Sequence, residues 1–440
     1  MAKPVIAIIG RPNVGKSTLF NRIVGSFRRK EEGAIVEEAE GVTRDRNYAD
    51  AEWGGKPFII VDTGGFYPDS REEIFTEVKE QALFAAGEAD LIVHLLDGKD
   101  GLTPADESIA DMLRGSGKRV VWAVNKIDAP TRESLFYDFY RLGAEDLHHL
   151  SAVTGYMFDE FMDELVRSLP EMPPEPRIEL PKVAVVGRPN VGKSTLINQL
   201  LGKKRLVVSP VAGTTRDAID AICTYYGRKY LFIDTAGIKK RARAYPLERF
   251  SMVRALRSIE RCEAALIVLD ASEGIVAEDQ KIAGLVLEHG KGAVFLLNKW
   301  DLVKDPANAL KRLKGEIKRK IWFFGHAPVI TTSGIEKKRI TKVFDLVDAI
   351  IAERKKTIPE GELREFLHEA LGEITLPRYK GKKVYIAGLK QVGKEPPVFA
   401  LYAKEPAGLK DAYLKYFEKR LRERYSFAGT PLRIVKKRKR

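Results

Sequence analysis

The chain has 440 residues, of which 44% are hydrophobic and 9% aromatic, as is typical of a globular protein with about three domains. Its net charge is +14, and residues 354–440 carry +13 of it, with 23 Lys and Arg against 10 Asp and Glu. No apolar run approaches the ~18 residues of a membrane span, and two cysteines, expected to be free and reduced, cannot form a disulfide scaffold. The composition therefore argues against a helical membrane protein and indicates a polyanionic partner for the C-terminal segment.

The predicted elements of the first 170 residues alternate between strands and helices. Short, almost continuously apolar runs predict strands that are buried on both faces of a parallel sheet. These runs are Val5–Ile9, Phe58–Val61, Leu91–Leu96, Val120–Val124 and Leu147–Leu150. The first run lacks a cleavage-site pattern, so it predicts a strand and not a signal peptide. His94 lies inside the third run, where we expect a core histidine with satisfied hydrogen bonds.

Residues 171–180 contain three prolines within four positions and predict an extended linker, because proline cannot continue a helix. Residues 181–353 then repeat the earlier order of elements, which indicates an internal duplication. The predicted strands of this second copy are Val183–Val186, Leu231–Ile233, Ala264–Leu269, Ala293–Leu297 and Pro328–Thr331. We therefore predict one domain at residues 1–170, a second at 181–353 and a third at 354–440.

The octapeptide GRPNVGKS occurs at residues 10–17 and again at residues 187–194. Both copies fit the phosphate-loop pattern G-x-x-x-x-G-K-[ST] between a predicted strand and a predicted helix. Lys16 and Lys193 are predicted to contact the β- and γ-phosphates, and Ser17 and Ser194 to offer hydroxyls to Mg2+. The other predicted contacts are Gly10, Arg11, Pro12, Asn13, Val14, Gly15 and Thr18 in the first copy, and Gly187, Arg188, Pro189, Asn190, Val191, Gly192 and Thr195 in the second.

A second repeated motif, D-x-x-G, closes a predicted strand in each copy. Its aspartates, Asp62 and Asp234, can hold Mg2+ through water, and its last glycines, Gly65 and Gly237, can offer their N–H groups to a γ-phosphate. The other contacts predicted here are Thr63, Gly64 and Phe66 in the first copy, and Thr235, Ala236 and Ile238 in the second.

The tripeptide T-R-D precedes the D-x-x-G motif in both copies. Its threonines, Thr43 and Thr215, occupy matching places in the two loops. A threonine in a mobile loop can close over Mg2+ while the γ-phosphate is present. The alternative interpretation is an ordinary polar surface loop.

A third repeated motif, N-K-x-D, predicts the base that is bound. Its residues are Asn125, Lys126, Ile127 and Asp128 in the first copy, and Asn298, Lys299, Trp300 and Asp301 in the second. The aspartate can accept hydrogen bonds from N1–H and the exocyclic amine of guanine, whereas adenine would leave it unpaired.

A short motif after the next strand, Ser151 and Ala152, can place a backbone N–H at guanine O6. Ser333 and Gly334 occupy the matching place in the second copy. That copy lacks the turn glycine found at Gly155, and its loss either loosens the guanine pocket or only reshapes the loop.

These motifs, in this order, resemble the five signature motifs of the translation-factor branch of P-loop GTPases, and their duplication resembles the EngA (Der) family. The resemblance implies two tandem P-loop GTPase domains, each an α/β fold with a mostly parallel sheet and helices on both faces, plus a small α+β KH-like domain. It also implies a Mg2+-dependent GTPase, binding GTP and GDP, that acts in assembly of the large ribosomal subunit. We expect a cytoplasmic protein, monomeric when free, that contacts this subunit and its rRNA through residues 354–440.

The residues after D-x-x-G, Phe66 and Ile238, stand where small signalling GTPases have a water-orienting glutamine. An apolar side chain cannot orient water, so we expect slow hydrolysis unless a helper is present. In related GTPases without the glutamine, an asparagine placed like Asn13 and Asn190 helps to hold K+ beside the phosphates. We therefore expect K+ as a cofactor, the alternative being that these asparagines only cap the loop.

The loop after the second D-x-x-G motif is basic at residues 239–243, whereas residues 66–73 of the first copy are acidic on balance. Two interpretations remain open. The basic run is either a solvated face or a contact to RNA or to the third domain that the nucleotide controls.

The third domain is predicted to contain a helix with an apolar face from Leu363 to Leu371, strands at 382–389 and 398–403, and a long helix with an apolar stripe from Leu409 to Leu421. We expect the aromatic residues of that stripe to pack in a core, and residues 436–440 to form a mobile basic tail. The segment has no G-x-x-G loop, the backbone clamp of nucleic-acid-binding KH domains. We therefore expect sequence-independent contact with RNA through charge.

Two further classes of function stay open. In a binding scaffold, at least one site would hold a nucleotide without turnover, as the missing glutamines suggest. A GTPase that assists tRNA modification or membrane transport would share the phosphate loop with its asparagine.

Overall fold

A computed structural model describes residues 3–31, 48–64, 87–144, 146–171, 179–201, 207–211, 220–235 and 248–439. The chain divides into two compact units, Met1–Glu175 and Pro176–Arg440. Within the described residues, no helix combines the length and apolarity that a membrane crossing requires.

The first unit is built on a six-stranded sheet with the order β2-β3-β1-β4-β5-β6. Its strands are β1 (Val5–Ile9), β2 (Tyr48–Trp53), β3 (Lys56–Asp62), β4 (Leu91–Asp97), β5 (Val120–Asn125) and β6 (Leu147–His149). Its helices are α1 (Lys16–Glu31), α2 (Pro104–Gly115) and α3 (Phe158–Arg167), with a 3-10 segment at Pro130–Leu142. All pairings are parallel except that of β2 with β3.

Both faces of this sheet are covered, as the apolar runs predict. Along β5, Val121 and Ala123 pack into a core with α1 and α3, whereas Trp122 and Val124 pack into a second core with α2 and the 3-10 segment. Because successive side chains of a strand point to opposite faces, one apolar run supplies both cores. The five predicted strands are confirmed, whereas β2, an antiparallel edge strand that is only partly buried, was not predicted.

The second unit repeats this architecture with a seven-stranded sheet in the order β13-β12-β11-β7-β10-β9-β8. Its strands are β7 (Lys182–Val186), β8 (Val207–Val211), β9 (Asp220–Tyr225), β10 (Arg228–Phe232), β11 (Ala264–Asp270), β12 (Gly292–Asn298) and β13 (Val329–Thr331). Its helices are α4 (Lys193–Leu201), α5 (Glu248–Arg261), α6 (Ala277–Glu288), α7 (Pro306–Lys320) and α8 (Lys342–Lys355). The predicted strands are again confirmed, while the antiparallel strands β8 and β9 were missed.

The third domain has its own core between two helices and a three-stranded sheet. Its elements are α9 (Glu360–Gly372), β14 (Arg378–Tyr379), β15 (Lys382–Lys383), β16 (Ile386–Gly393), β17 (Val398–Ala403), α10 (Asp411–Tyr425) and β18 (Arg433–Arg438). Phe417 and Leu421 are fully buried, so the apolar stripe of α10 packs in the core as expected.

The predicted mobile tail at 436–440 is wrong for residues 436–438, which belong to β18. This strand pairs in parallel with β17, and the N–H of Lys439 still donates to the carbonyl of Ala403 at 2.9 Å. Lys436 is held as well, because its Nζ donates to the carbonyl of Leu409 at 3.1 Å. Basic composition indicated a solvated tail, but the open edge of β17 supplies hydrogen bonds that composition does not reveal.

The third domain is joined to the second copy through the backbone of Gly429. Its carbonyl accepts from the N–H of Ala293 at the start of β12 (2.7 Å), and its N–H donates to the carbonyl of His326 (3.2 Å). A Cβ on Gly429 would come within 2.7 Å of the Ile350 side chain and 2.9 Å of the Ala293 carbonyl. The backbones of the two domains are therefore in direct contact at Gly429.

His94 is fully buried, as expected, but its hydrogen bonds are not satisfied. Neither ring nitrogen has a hydrogen-bond partner among the described residues. Burial, with Lys16 and Arg114 nearby, lowers the pKa of His94 to about 3, so the ring is neutral. Cys223 and Cys262 are both buried and free, as expected.

Candidate nucleotide-binding sites

The second glycine of each phosphate loop leaves no room for a side chain. A Cβ on Gly15 would lie 2.3 Å from the Asn125 amide nitrogen, and Gly15 has φ +99°. Gly192 (φ +94°) stands in the same relation to Asn298, again at 2.3 Å. A side chain at either position would therefore collide with the asparagine of the N-K-x-D motif, and the positive φ favours glycine as well.

Asn13 and Asn190 occupy the left-handed region, with φ +66° and +62°. Asparagine adopts this conformation more readily than most residues. Their conformation therefore gives one reason for the asparagine in both loops, whatever else its side chain contacts.

The phosphate-loop lysines are held over their own loops. Lys16 Nζ donates to the carbonyls of Gly10 (2.6 Å) and Arg11 (2.8 Å). Lys193 makes the same bonds to Gly187 (2.7 Å) and Arg188 (2.6 Å). The ammonium group of each lysine thus lies against its own phosphate loop. A bound phosphate could replace the carbonyl oxygens as the acceptor of these hydrogen bonds.

Ser17 and Asp62 meet where β3 ends. Ser17 Oγ donates to Asp62 Oδ2 at 2.6 Å, and the N–H of Gly64 donates to Asp62 Oδ1 at 2.9 Å. A hydroxyl and a carboxylate are oxygen donors of the kind that Mg2+ prefers. The residues present therefore fit a magnesium ion between the phosphate loop and the D-x-x-G motif.

The second copy differs at this motif. Asp234 lies beyond the end of β10 in the left-handed conformation (φ +54°), and its N–H donates to Asp220 Oδ1 at 3.0 Å. Asp220 is buried and also paired with Arg261 at 2.5 Å. The metal-side aspartates of the two copies therefore have different surroundings.

The asparagine of each N-K-x-D motif links the phosphate loop to the guanine-side loop. Asn125 Nδ2 donates to the carbonyl of Val14 (2.8 Å), and its Oδ1 accepts from the N–H of Ala152 (2.9 Å). In the second copy Asn298 bonds Val191 (2.8 Å) and Gly334 (3.3 Å) in the same way. Asn125 and Asn298 therefore each connect the two loops of their own site and fix the distance between them.

The predicted guanine-binding aspartates are each held by a serine. Ser151 Oγ donates to Asp128 Oδ1 at 2.8 Å, and Ser333 Oγ to Asp301 Oδ1 at 2.5 Å. Hydrogen bonds from Ser151 and Lys99 lower the pKa of Asp128, which keeps the carboxylate ionised. An ionised carboxylate is the acceptor that the two donors of guanine require.

The altered guanine-side loop of the second copy keeps these contacts. In the first copy Gly155 turns the loop at φ +89°, and its N–H donates to the carbonyl of Ser151 at 2.8 Å. In the second, Lys337 and Arg339 both adopt φ +57°, and Ser333 pairs with Lys338 in an isolated antiparallel bridge. The loss of glycine therefore reshapes the loop while the Ser333 and Gly334 contacts remain.

Two buried aspartates in each copy belong to the site but were not predicted from the sequence. Asp97 and Asp270 end β4 and β11 and bind the lysines of the N-K-x-D motifs, Lys126 and Lys299 respectively. Lys299 Nζ lies 2.6 Å from Asp270 Oδ2. Although burial opposes it, hydrogen bonds from Lys299 and Ser272 lower the pKa of Asp270.

The other missed pair lies in the first turn of the following helix. Asp106 lies 3.3 Å from Arg11 Nε, and Asp279 lies 3.6 Å from Arg188 Nε, so each anchors an arginine of the phosphate loop. Burial raises the pKa of Asp106 and raises that of Asp279 to about 6, against the opposing effect of the arginine. The signal was present in the sequence, because both pairs of aspartates recur at the same spacing, 97 with 106 and 270 with 279.

Several predicted site residues lie outside the described residues. They are Thr43, Gly65, Phe66, Thr215, Ala236, Gly237 and Ile238. The basic loop at residues 239–243 lies outside them as well.

The family models agree with this arrangement. A model described as "50S ribosome-binding GTPase" matches residues 5–126 and 182–299, and one described as "KH-domain-like of EngA bacterial GTPase enzymes, C-terminal" matches residues 357–437. The chain belongs to the EngA (Der) family of GTPases. It is a GTP-hydrolysing enzyme with two α/β GTPase domains and a C-terminal KH-like domain, and it binds GTP and GDP.

Similar proteins cover the whole chain. GTPase Der of Thermodesulfovibrio yellowstonii is 48% identical over 99% of this chain and 99% of its own length. GTPase Der of Caldanaerobacter subterraneus subsp. tengcongensis is 44% identical over 100% of this chain and 99% of its own. Among solved structures, Era in complex with MgGDPNP and nucleotides 1506–1542 of 16S ribosomal RNA is 23% identical over 60% of this chain and 93% of its own, with a TM-score of 0.32.

Proposed function

We propose that this GTPase is a nucleotide-controlled switch in the assembly of the large ribosomal subunit. The observation that carries the proposal is the presence, in one chain, of two nucleotide sites and a third domain that holds +13 of the net charge. Two sites allow up to four liganded states, each of which can present the basic domain differently. The family description "50S ribosome-binding GTPase" and the relatives named GTPase Der support the choice of partner.

We propose the roles of the site residues from their motifs. Lys16 and Lys193 bind the β- and γ-phosphates, and Asp128 and Asp301 bind guanine. Ser17 and Ser194, with Thr43 and Thr215 of the T-R-D motifs, would bind Mg2+, and Asp62 and Asp234 would hold it through water. The hydrogen bond between Ser17 and Asp62 supports this assignment, since it puts two oxygen donors of the proposed set together.

Potassium is proposed as a second ion. Asn13 and Asn190 would hold it, and a fixed cation there would offset the charge that develops on the phosphates during hydrolysis. Phe66 and Ile238 cannot orient water, which leaves this role to another group. Hydrolysis is expected to be faster in K+ than in Na+ at equal ionic strength, and equal rates would refute the potassium site.

The partner is bound through charge. We propose that residues 354–440 contact rRNA without reading its sequence, because they are basic and lack a G-x-x-G loop. The free protein is monomeric and cytoplasmic in this proposal, and the two GTPase domains span residues 1–170 and 181–353.

The proposal is tested by co-sedimentation with purified ribosomal subunits in GDP, in GTP and in a non-hydrolysable GTP analogue. We expect the protein to pellet with the large subunit in a nucleotide-dependent way and to be released by added salt. Equal association with both subunits, or with neither, in all three nucleotides would contradict the proposal.

A further inference from the structure

Helix α7 of the second GTPase domain has an outer face made of positive charge. Its basic residues outnumber its single acidic residue, Glu316, by six to one. Glu316 lies within 4 Å of Arg312 and Lys320. The remaining basic residues are exposed and make no ion pair within the part of the chain that the structure describes: Lys311, Lys314, Lys318 and Arg319.

Packing does not require this row of charge. The helix is held by Leu313 and Ile317, which are buried, and is capped by Asp305. Lys318 and Arg319 lie in the last turn, where cations interact favourably with the helix dipole. Lys311 and Lys314 lie outside that turn, and the spacing of Lys311, Lys314 and Lys318 brings like charges together on one face.

The duplication provides an internal comparison. In the first copy, the segment after the N-K-x-D motif is Pro130–Leu142, where two arginines are balanced by two acidic residues. This segment buries Phe136 and Phe139 against the sheet and needs no excess of positive charge. The GTPase fold therefore does not demand a basic face at this place, and only the second copy has one.

The basic face continues onto the third domain. Just beyond α7, Trp322 is half exposed, and Lys415 of α10 lies over its ring with Nζ 5.7 Å from the centroid. Lys415 and Lys419 are exposed on α10. We call the exposed face of α7 together with Trp322, Lys415 and Lys419 the α7–α10 surface. It crosses the junction between the two domains, because Trp322 belongs to the second GTPase domain and Lys415 to the third.

We propose that the α7–α10 surface binds the phosphate backbone of RNA, with Trp322 as a platform on which an unpaired base stacks. Exposed Lys and Arg side chains neutralise phosphates, and an accessible indole ring stacks with any base. A protein partner is less favoured because, among the described residues, Trp322 is the one exposed large apolar side chain of this surface and the other named members are charged. The inference rests on the proposed function, which makes RNA the partner, and adds a contact outside residues 354–440.

The test uses the full chain and two RNA probes, a short polyuridine strand and purified large ribosomal subunits. Lys311→Gln, Lys314→Gln and Lys318→Gln are combined in one variant. The control combines Lys56→Gln, Arg119→Gln and Lys229→Gln, which removes the same charge at exposed positions elsewhere. Binding is measured by fluorescence anisotropy over a range of salt concentrations.

We expect the α7 variant to bind polyuridine about tenfold more weakly and to lower the slope of log K against log salt by about 2, as the loss of three phosphate contacts requires. The control keeps the wild-type slope. Trp322→Ala is expected to lower the affinity about tenfold without changing the slope, because it removes stacking and not charge. GTP hydrolysis without RNA should not change in any variant, and glutamine preserves α7 because its helix propensity is similar to that of lysine.

Three outcomes separate the possibilities. A slope equal to that of the control would overturn the α7–α10 surface and leave the proposed function standing. If the α7 variant bound polyuridine with full affinity but lost affinity for large subunits, the surface would dock on a protein, which also overturns the proposal. If the wild type binds neither probe, the proposed function itself fails.

Discussion

The side-chain amide of Asn125 donates to the carbonyl oxygen of Val14 at 2.8 Å and so ties the guanine side of the first site to its phosphate loop. Asn298 and Val191 form the same bond at the same distance in the second copy. The asparagine that both N-K-x-D motifs share thus makes the same hydrogen bond in both copies. Because this bond lies within the protein, its role can be tested without the ribosomal partner.

Asn125→Ala should weaken nucleotide binding at the first site by more than tenfold. The substitution leaves two buried backbone groups, the Val14 carbonyl and the Ala152 N–H, without their partner, at a cost of about 1–3 kcal/mol each. Titration with fluorescent GDP measures the affinity of each site. Asn298→Ala should act at the second site alone, and loss of both sites from either change would contradict independent pockets.

Gly15→Ala should abolish nucleotide binding at the first site and lower the free energy of unfolding by about 1–3 kcal/mol. A Cβ there meets the Asn125 amide at 2.3 Å, and φ +99° is strained for alanine. Gly25→Ala is the matched control in α1, since nothing lies within 4 Å of its Cβ. Alanine favours a helix, so the control should be neutral or stabilising by up to about 1 kcal/mol in chemical denaturation.

Asp128→Asn should remove GTP binding at the first site while the second site keeps it, and Asp301→Asn should do the reverse. The amide of asparagine presents a donor to the guanine amine, so one hydrogen bond is lost and a repulsive contact replaces it. Xanthine has a carbonyl in place of that amine. The affinity for xanthosine nucleotides should therefore be higher at the substituted site of each variant than at the same site of the wild type. Single-turnover hydrolysis by each variant then reports the rate of the remaining site, and a rate of zero at one site would favour the scaffold interpretation for that site.

His94 and His326 should make the protein less stable as the pH falls below about 6.5. Burial, with Arg422 beside it, lowers the pKa of His326 to about 3, and that of His94 is lowered to the same value. The unfolded chain therefore takes up these protons first, and each histidine removes about 1.4 kcal/mol of stability per pH unit between 6.5 and 3.

Replacing either histidine should make this pH dependence shallower. His94→Leu removes one such contribution from the first unit and His326→Leu one from the second, as measured by urea unfolding at pH 7.5, 6.5 and 5.5. His368→Leu, at an exposed position, controls for the loss of an imidazole. A wild-type slope in both buried variants would show that the two rings do not resist protonation.

Short-range patterns predicted the buried parts of this protein well. The parallel strands are continuous apolar runs because helices cover both faces of each sheet, and that requirement is visible in the sequence. The edge strands β2 and β8, and β9 beside β8, were not predicted because these antiparallel strands have no such run. Strand β18 was missed for a related reason, since its hydrogen bonds come from β17, a partner distant in the chain.

The sequence by itself determined the duplication, the two phosphate loops and the choice of guanine. Each of these depends on residue types at fixed spacing along a few adjacent residues, such as a glycine beside a ligand or an aspartate after a strand. Only the tertiary structure decided that Asp106 and Asp279 anchor Arg11 and Arg188, and that the charge of α7 continues through Trp322 onto Lys415. These contacts join segments far apart in the chain, where packing and not local spacing sets the distance.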